Sequence, residues 1–96
     1  MNRRLVVSNI AQFDLANIHD YIAERNLAAA DRVVDQIEAA GLALIVAPFT
    51  GSAVGESHPG LRFRVVGKYV VFYRVTDEIV WIQRVLHGAR DFGKLL

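Results

Sequence analysis

The chain has 96 residues, 53% of them hydrophobic, no cysteine and a formal net charge of +1. That is globular composition near the small end at which one chain buries enough surface to fold, so residues 1–96 read as a single domain that gains from a partner's surface. The missing cysteines exclude disulfide frameworks, thiolate metal sites and cysteine nucleophiles, and the three separated histidines, His19, His58 and His87, show no ligand spacing. Neither metal nor cofactor is expected.

The opening "MNRRLVVSNI" carries two arginines but no apolar run of signal-peptide length. The longest apolar stretch, "AAGLALIVA" from Ala39 to Ala47, falls far short of the roughly 20 residues of a membrane span, and a soluble cytoplasmic protein is expected. Charge is unevenly placed. Through Val46, four arginines face six carboxylates; from Ala47 onward, seven basic residues face four acidic ones. The second half is suited to an anionic partner.

Leu5-Val6-Val7 reads as a short strand. Ser8 and Asn9 are both competent helix caps, and Asn9 with Gln12 resembles a capping box. Ala11, Leu15, Ile18 and Ile22 then mark one face of a helix, with Asp14 assigned to its first turn. Asn26 in a left-handed conformation would end it near Arg25. Ala30, Val33, Val34, Ile37 and Leu44 define a second helix, stopped around Val46 because Pro48 disfavours a helical Ala47. The short connection makes the two an antiparallel hairpin.

"PFTGSAVGESHPG" reads as a long loop leading to the sheet. Three strands follow. Leu61–Val66 alternates apolar and basic residues, and Gly67-Lys68 suits a two-residue type II′ turn. "YVVFYRV" (Tyr69–Val75) is apolar on both faces, as in a central strand, and Ile79–Val85 closes the chain after a turn at Thr76-Asp77-Glu78. The fold class is α+β in the order β-α-α-β-β-β: an N-terminal helical hairpin on one face of a largely antiparallel four-stranded sheet.

Across the Gly67-Lys68 turn, Val66 pairs with Tyr69, Arg64 with Val71 and Arg62 with Tyr73. Because Arg62 and Arg64 cannot be buried under helices at low cost, their face is expected to be the open one, bringing Tyr69 and Tyr73 with it. Such a surface can grip phosphates and bases or an acidic peptide, or can simply stay soluble. A three-residue final turn would add Trp81 and Gln83 to that face; a two-residue turn would add Val80, Ile82 and Arg84. The longer turn is preferred, since Thr-Asp lacks the residues of a primed turn.

"RVLHGARD" (Arg84–Asp91) ends the last strand. A catalytic reading makes His87 a general base, Arg90 a stabiliser of phosphate charge and Arg62 an anchor. The plainer reading makes His87 a strand-end residue bonded to backbone, with Arg90 and Asp91 a local ion pair. His58 and Glu56 lie in the loop, with nothing to place them at the sheet end.

The element order, the opening "VSNIAQFDLANIHDYIAERNLAAA", Leu61-Arg62, "YVVFYRV" and the closing "RVLHGARD" together resemble the RelE/ParE superfamily of type II toxin–antitoxin toxins, over essentially the whole chain. The resemblance implies a compact toxin neutralised by a small antitoxin, as a homodimer or a toxin–antitoxin hetero-oligomer. RelE-like members are ribosome-dependent mRNA endoribonucleases; ParE-like members poison DNA gyrase. Arg62 and Arg90 match basic positions of the family. No lysine precedes Arg62, Phe92 stands near the place of a catalytic tyrosine, and the chain closes on Leu95 and Leu96 without a functional histidine. The ParE-like branch is therefore preferred, with a ParD-like antitoxin and gyrase as partners. The partner-binding residues expected are Arg62, Arg64, Tyr73, Arg84, His87 and Arg90. The alternatives are an endoribonuclease using Arg62, Arg90 and His87, or a non-toxic antitoxin-binding module.

Overall fold

The computed structural model describes residues 3–95, and of residues 92–95 the backbone alone. The side chains of Phe92 and Leu95, and all of Leu96, therefore lie outside the described residues. The elements run β1 (Arg4–Val7), α1 (Asn9–Ala23), α2 (Leu27–Val46), β2 (Ser52–Ala53), β3 (Arg62–Val66), β4 (Tyr69–Val75), β5 (Ile79–His87) and α3 (Gly88–Leu95). The sheet order is β1-β5-β4-β3-β2, with β1 parallel to β5 and every other pair antiparallel. The α+β architecture expected from the sequence holds, with two additions. Ser52 and Ala53 pair with Phe63 and Arg62 and add a fifth, two-residue strand, and the segment after His87 is a helix.

Local chemistry explains the boundaries. Ser8 is the cap of α1: its hydroxyl accepts from the Ala11 N–H at 3.0 Å and donates to the Gln83 carbonyl at 2.9 Å, tying the helix start to β5. Gln12 donates to the Val7 carbonyl instead of closing a box with Asn9. Asn26 corrects the sequence expectation. It is extended, with φ −156°, and caps the start of α2 by accepting from the Ala29 N–H, so the three-residue connection Glu24-Arg25-Asn26 closes one helix and opens the next. The His19 ring lies 2.7 Å from the Asp31 carboxylate across the hairpin.

Gly67 has φ +60° and no other residue than glycine has positive φ among those described, which fits a type II′ turn with glycine first. The β3–β4 register is the one expected: Arg62 opposite Tyr73, Arg64 opposite Val71, Val66 opposite Tyr69. The face is not. Tyr69, Val71 and Tyr73 join Val80, Ile82 and Val85 under Ala11, Ile18, Ile37 and Leu44 of the helices. Tyr73 is fully buried, so it presents nothing to a partner. Arg62 and Arg64 share this helix-facing side because β3 lies next to the sheet edge, where long side chains carry their charge past the helices.

The final turn is also the shorter one. The Thr76 N–H donates to the Ile79 carbonyl, and the Thr76 hydroxyl accepts from the N–H groups of Glu78 and Ile79, replacing the stabilisation a primed turn takes from glycine. Val80 and Ile82 consequently point at the helices, and Trp81 at the opposite side, which buries two aliphatic chains instead of an indole and an amide. A bulge follows. Phe72 pairs with Arg84 but Tyr73 pairs with Ile82, leaving Gln83 as the extra residue.

The second sheet face is covered in part by the loop after α2. Leu61, Val70, Phe72 and Leu86 form a small separate core with Val54 and Phe63 packed against it. Arg74 donates to the Pro59 carbonyl and to the Gln83 amide oxygen, holding the loop's far end.

Candidate functional site

The residues singled out from sequence separate into two places at opposite ends of β4. At one end, the guanidinium of Arg62 donates to the carbonyls of Phe49 and Gly51 and stacks 5.4 Å from the Phe49 ring centre. Its cross-strand partner Tyr73 donates to the Pro48 carbonyl at 2.8 Å and accepts from the Gly51 N–H at 3.1 Å. These two side chains fasten the turn after α2. Arg62 Nε is buried without a hydrogen-bond partner, and the Arg3 guanidinium also stacks on Phe49, 5.8 Å from its ring centre. Arg64 makes no side-chain hydrogen bond or ion pair with the described residues and is half-buried.

The other end is a groove of about 500 Å³ between α1 and the β5–α3 junction. Ile10, Phe13 and Tyr21 of α1 line it while remaining 59%, 67% and 65% exposed, so α1 carries a second apolar stripe beside the one that packs on the sheet. In the groove wall, Asp14 accepts from Arg84 Nε at 2.9 Å and Nη2 at 3.0 Å, and from the Val85 N–H at 3.0 Å. Asp14 lies beyond the first turn of α1, contrary to the expectation, and bonds Arg84 and Val85 just after the bulge of β5, not the helix dipole. The carboxylate holds the Arg84 guanidinium charged, raising its pKa above the usual arginine value against the opposing effect of burial.

At the groove's end, His87 stands opposite Tyr69, its ring edge-on to the phenol at 5.5 Å. His87 Nδ1 accepts from the Arg90 N–H at 3.1 Å and so caps α3, which is the plainer of the two roles considered for it. In the neutral ring this leaves the proton on Nε2. The Arg90 side chain lies 3.3 Å from Asp91 and stacks 5.6 Å from the Tyr21 ring. Asp91 raises the Arg90 pKa further, first through that hydrogen bond. Burial pushes the Tyr69 phenol above its usual range, with Arg90 pulling it back.

Arg62 pairs with Tyr73 and His87 with Tyr69, four positions apart along β4, or about 13 Å at a rise of about 3.3 Å per residue. The proposed catalytic set of Arg62, His87 and Arg90 is therefore divided between the two ends. His58 bonds to Ser57 at 3.0 Å and does not line the groove. No group of three His, Asp or Glu residues able to hold a metal occurs among the described residues. Asp14 and Tyr21 are not legible in the sequence as groove residues, because their partners lie some 70 positions away in the chain.

The family model described as "ParE toxin of type II toxin-antitoxin system, parDE" matches residues 5–92. The chain belongs to the ParE toxin family. Solved structures of the same fold include the chromosomal ParDE system from P. aeruginosa, at 22% identity and TM-score 0.75, covering 88% of this chain and 95% of that one. The RelBE2 toxin–antitoxin complex from Mycobacterium tuberculosis gives 23% identity and TM-score 0.61, covering 91% and 99%. The E. coli DinJ-YafQ complex gives 17% and 0.68, covering 97% and 100%. No curated protein matches the sequence. No helix among the described residues is long and apolar enough to cross a membrane.

Proposed function

We propose that this ParE-family toxin poisons DNA gyrase and is held inactive by a ParD-like antitoxin bound over the α1–β5–α3 groove. The observation that carries the reading is the division of Arg62 from His87 and Arg90. Cleaving RNA requires preorganised charge around one phosphorus, and losing a single such donor commonly costs about 10²–10³ in rate. Here Arg62 is engaged by loop carbonyls, Arg84 by Asp14 and Arg90 by Asp91. Side chains spent on the protein's own structure suit a rigid binding surface better than an acid–base centre.

Gyrase with relaxed plasmid and purified toxin provides the test. Supercoiling should fall and linear DNA should accumulate; unaffected gyrase at large toxin excess would refute the proposal. The endoribonuclease alternative predicts cleavage within translated codons and rapid arrest of protein synthesis, lost in Arg90→Ala. Growth unaffected by strong expression without antitoxin would point to the non-toxic binding module.

A further inference from the structure

Tyr69 is the least explained side chain of the groove. It is 8% exposed, yet its hydroxyl makes no hydrogen bond with the described residues. The ring packs into the core, but its oxygen is not among the buried unpartnered atoms, so the hydroxyl meets solvent in the groove and no protein acceptor. It is not sealed into the core, because Tyr69 borders both the groove beside α1 and a neighbouring one that reaches Lys68. A phenylalanine would fill the same core volume.

Two further donors border the same spaces. His87 has Nδ1 occupied by the Arg90 N–H, so Nε2–H is its free donor, and it too lines both grooves. Arg90, 56% exposed, bonds Asp91 through Nε and Nη2 at 3.3–3.4 Å, and its Nη1 makes no hydrogen bond to that carboxylate. The charges around these groups are Arg84 with Asp14, Arg90 with Asp91, and Lys68 across the second groove. Both ion pairs are internally balanced and Lys68 adds one positive charge. Three donors whose one acceptor is the phenol oxygen itself suit a ligand rich in acceptors, such as an ionised oxyacid.

We propose that this groove end is a carboxylate pocket, in which Tyr69 Oη, His87 Nε2 and Arg90 receive one acidic side chain of the antitoxin. The apolar residues of the same antitoxin segment lie on Ile10, Phe13 and Tyr21. The proposal rests on the toxin–antitoxin reading above. A protein carboxylate fits better than a nucleic-acid phosphate for two reasons. Ile10 and Phe13 would face a sugar–phosphate chain that has nothing apolar to cover them, and the single uncompensated charge, on Lys68, matches one carboxylate better than a run of phosphates.

Calorimetry of the full-length toxin with the antitoxin encoded beside it tests this. Tyr69→Phe removes one hydrogen bond to a charged group and should weaken the complex about ten- to hundredfold. The free variant should melt no lower than the parent, since the hydroxyl has no internal partner. Changing antitoxin Asp and Glu residues singly to their amides should find one position with a similar loss that is not repeated in the Tyr69→Phe background. Equal affinity of Tyr69→Phe and parent overturns the pocket and leaves the toxin–antitoxin reading intact. A parent that binds no antitoxin overturns both. Single-stranded RNA, or a second copy of the toxin, binding the parent in a Tyr69-dependent way while the antitoxin is indifferent also overturns the proposal.

Discussion

Replacing Asp14 with alanine would strike an ion pair that joins α1 to the bulged strand. The Asp14 side chain is 12% exposed and that of Arg84 29%, so the pair is shielded but still reached by water. Three bonds end on this carboxylate: two from Arg84 and one from the Val85 N–H. Removing one partner of a fully buried pair costs about 3–5 kcal/mol. An exposed pair is worth about 0–1 kcal/mol. With the exposures above and a stranded backbone N–H, Asp14→Ala should cost about 2–4 kcal/mol. Total stability for such a domain is only about 5–15 kcal/mol. At about 4–8 °C per kcal/mol the midpoint should drop by roughly 8–32 °C, read by thermal unfolding followed by circular dichroism. Asp14→Asn keeps an acceptor for Val85 and should lose about half as much free energy. Asp14→Ala with Arg84→Met should recover part of the loss by removing the stranded cation. A cost of Asp14→Ala under about 1 kcal/mol, erased by moderate salt, would refute the argument and make this an ordinary surface pair.

Tyr73→Phe removes the hydroxyl that bridges Pro48 and Gly51 and should destabilise by about 1–3 kcal/mol in urea titrations. Gly51→Ala should be at least as damaging, because its Cβ would overlap the Tyr73 hydroxyl and the Phe63 carbonyl oxygen. Gly41→Ala is expected to stabilise by up to about 1 kcal/mol from helix propensity. Its new methyl would meet only Leu5, at 3.3 Å, and Leu5 borders an apolar cavity of about 40 Å³ into which it can give; a lower melting point would show that it cannot. The Tyr69 phenol, raised chiefly by burial, should ionise above the usual value of about 10, visible as the ultraviolet difference between parent and Tyr69→Phe titrations. Because the folded-state pKa is the higher one, this group's contribution to stability is present in full below the unfolded value and is lost as pH rises through the folded one. Ionisation at or below 10 would contradict its burial.

What could be read from the residues alone was whatever local chemistry and periodicity decide. The 3.6-residue repeats of Ala11, Ile18, Ala30, Ile37 and Leu44 placed both helices and their buried faces, Pro48 stopped α2, and Gly67 set the β3–β4 turn and its register. Residue order also sufficed to raise the family resemblance that the match over residues 5–92 establishes. The side of the sheet on which the arginines lie was not decidable in this way. β4 is apolar on both faces, so Tyr69, Val71 and Tyr73 and the alternate pair Val70 and Phe72 compete equally for the helices. Only packing resolves it, through the sheet-edge position of β3, the Thr76 turn and the bulge at Gln83. The groove was hidden for a related reason. Asp14 meets Arg84 across 70 positions and Arg90 reaches back to Tyr21, and no short-range pattern encodes which distant side chains the sheet and two helices bring into contact. Burial likewise converts Tyr73 from an expected surface contact into an internal fastener, because a hydroxyl's role depends on which carbonyl the tertiary fold sets before it.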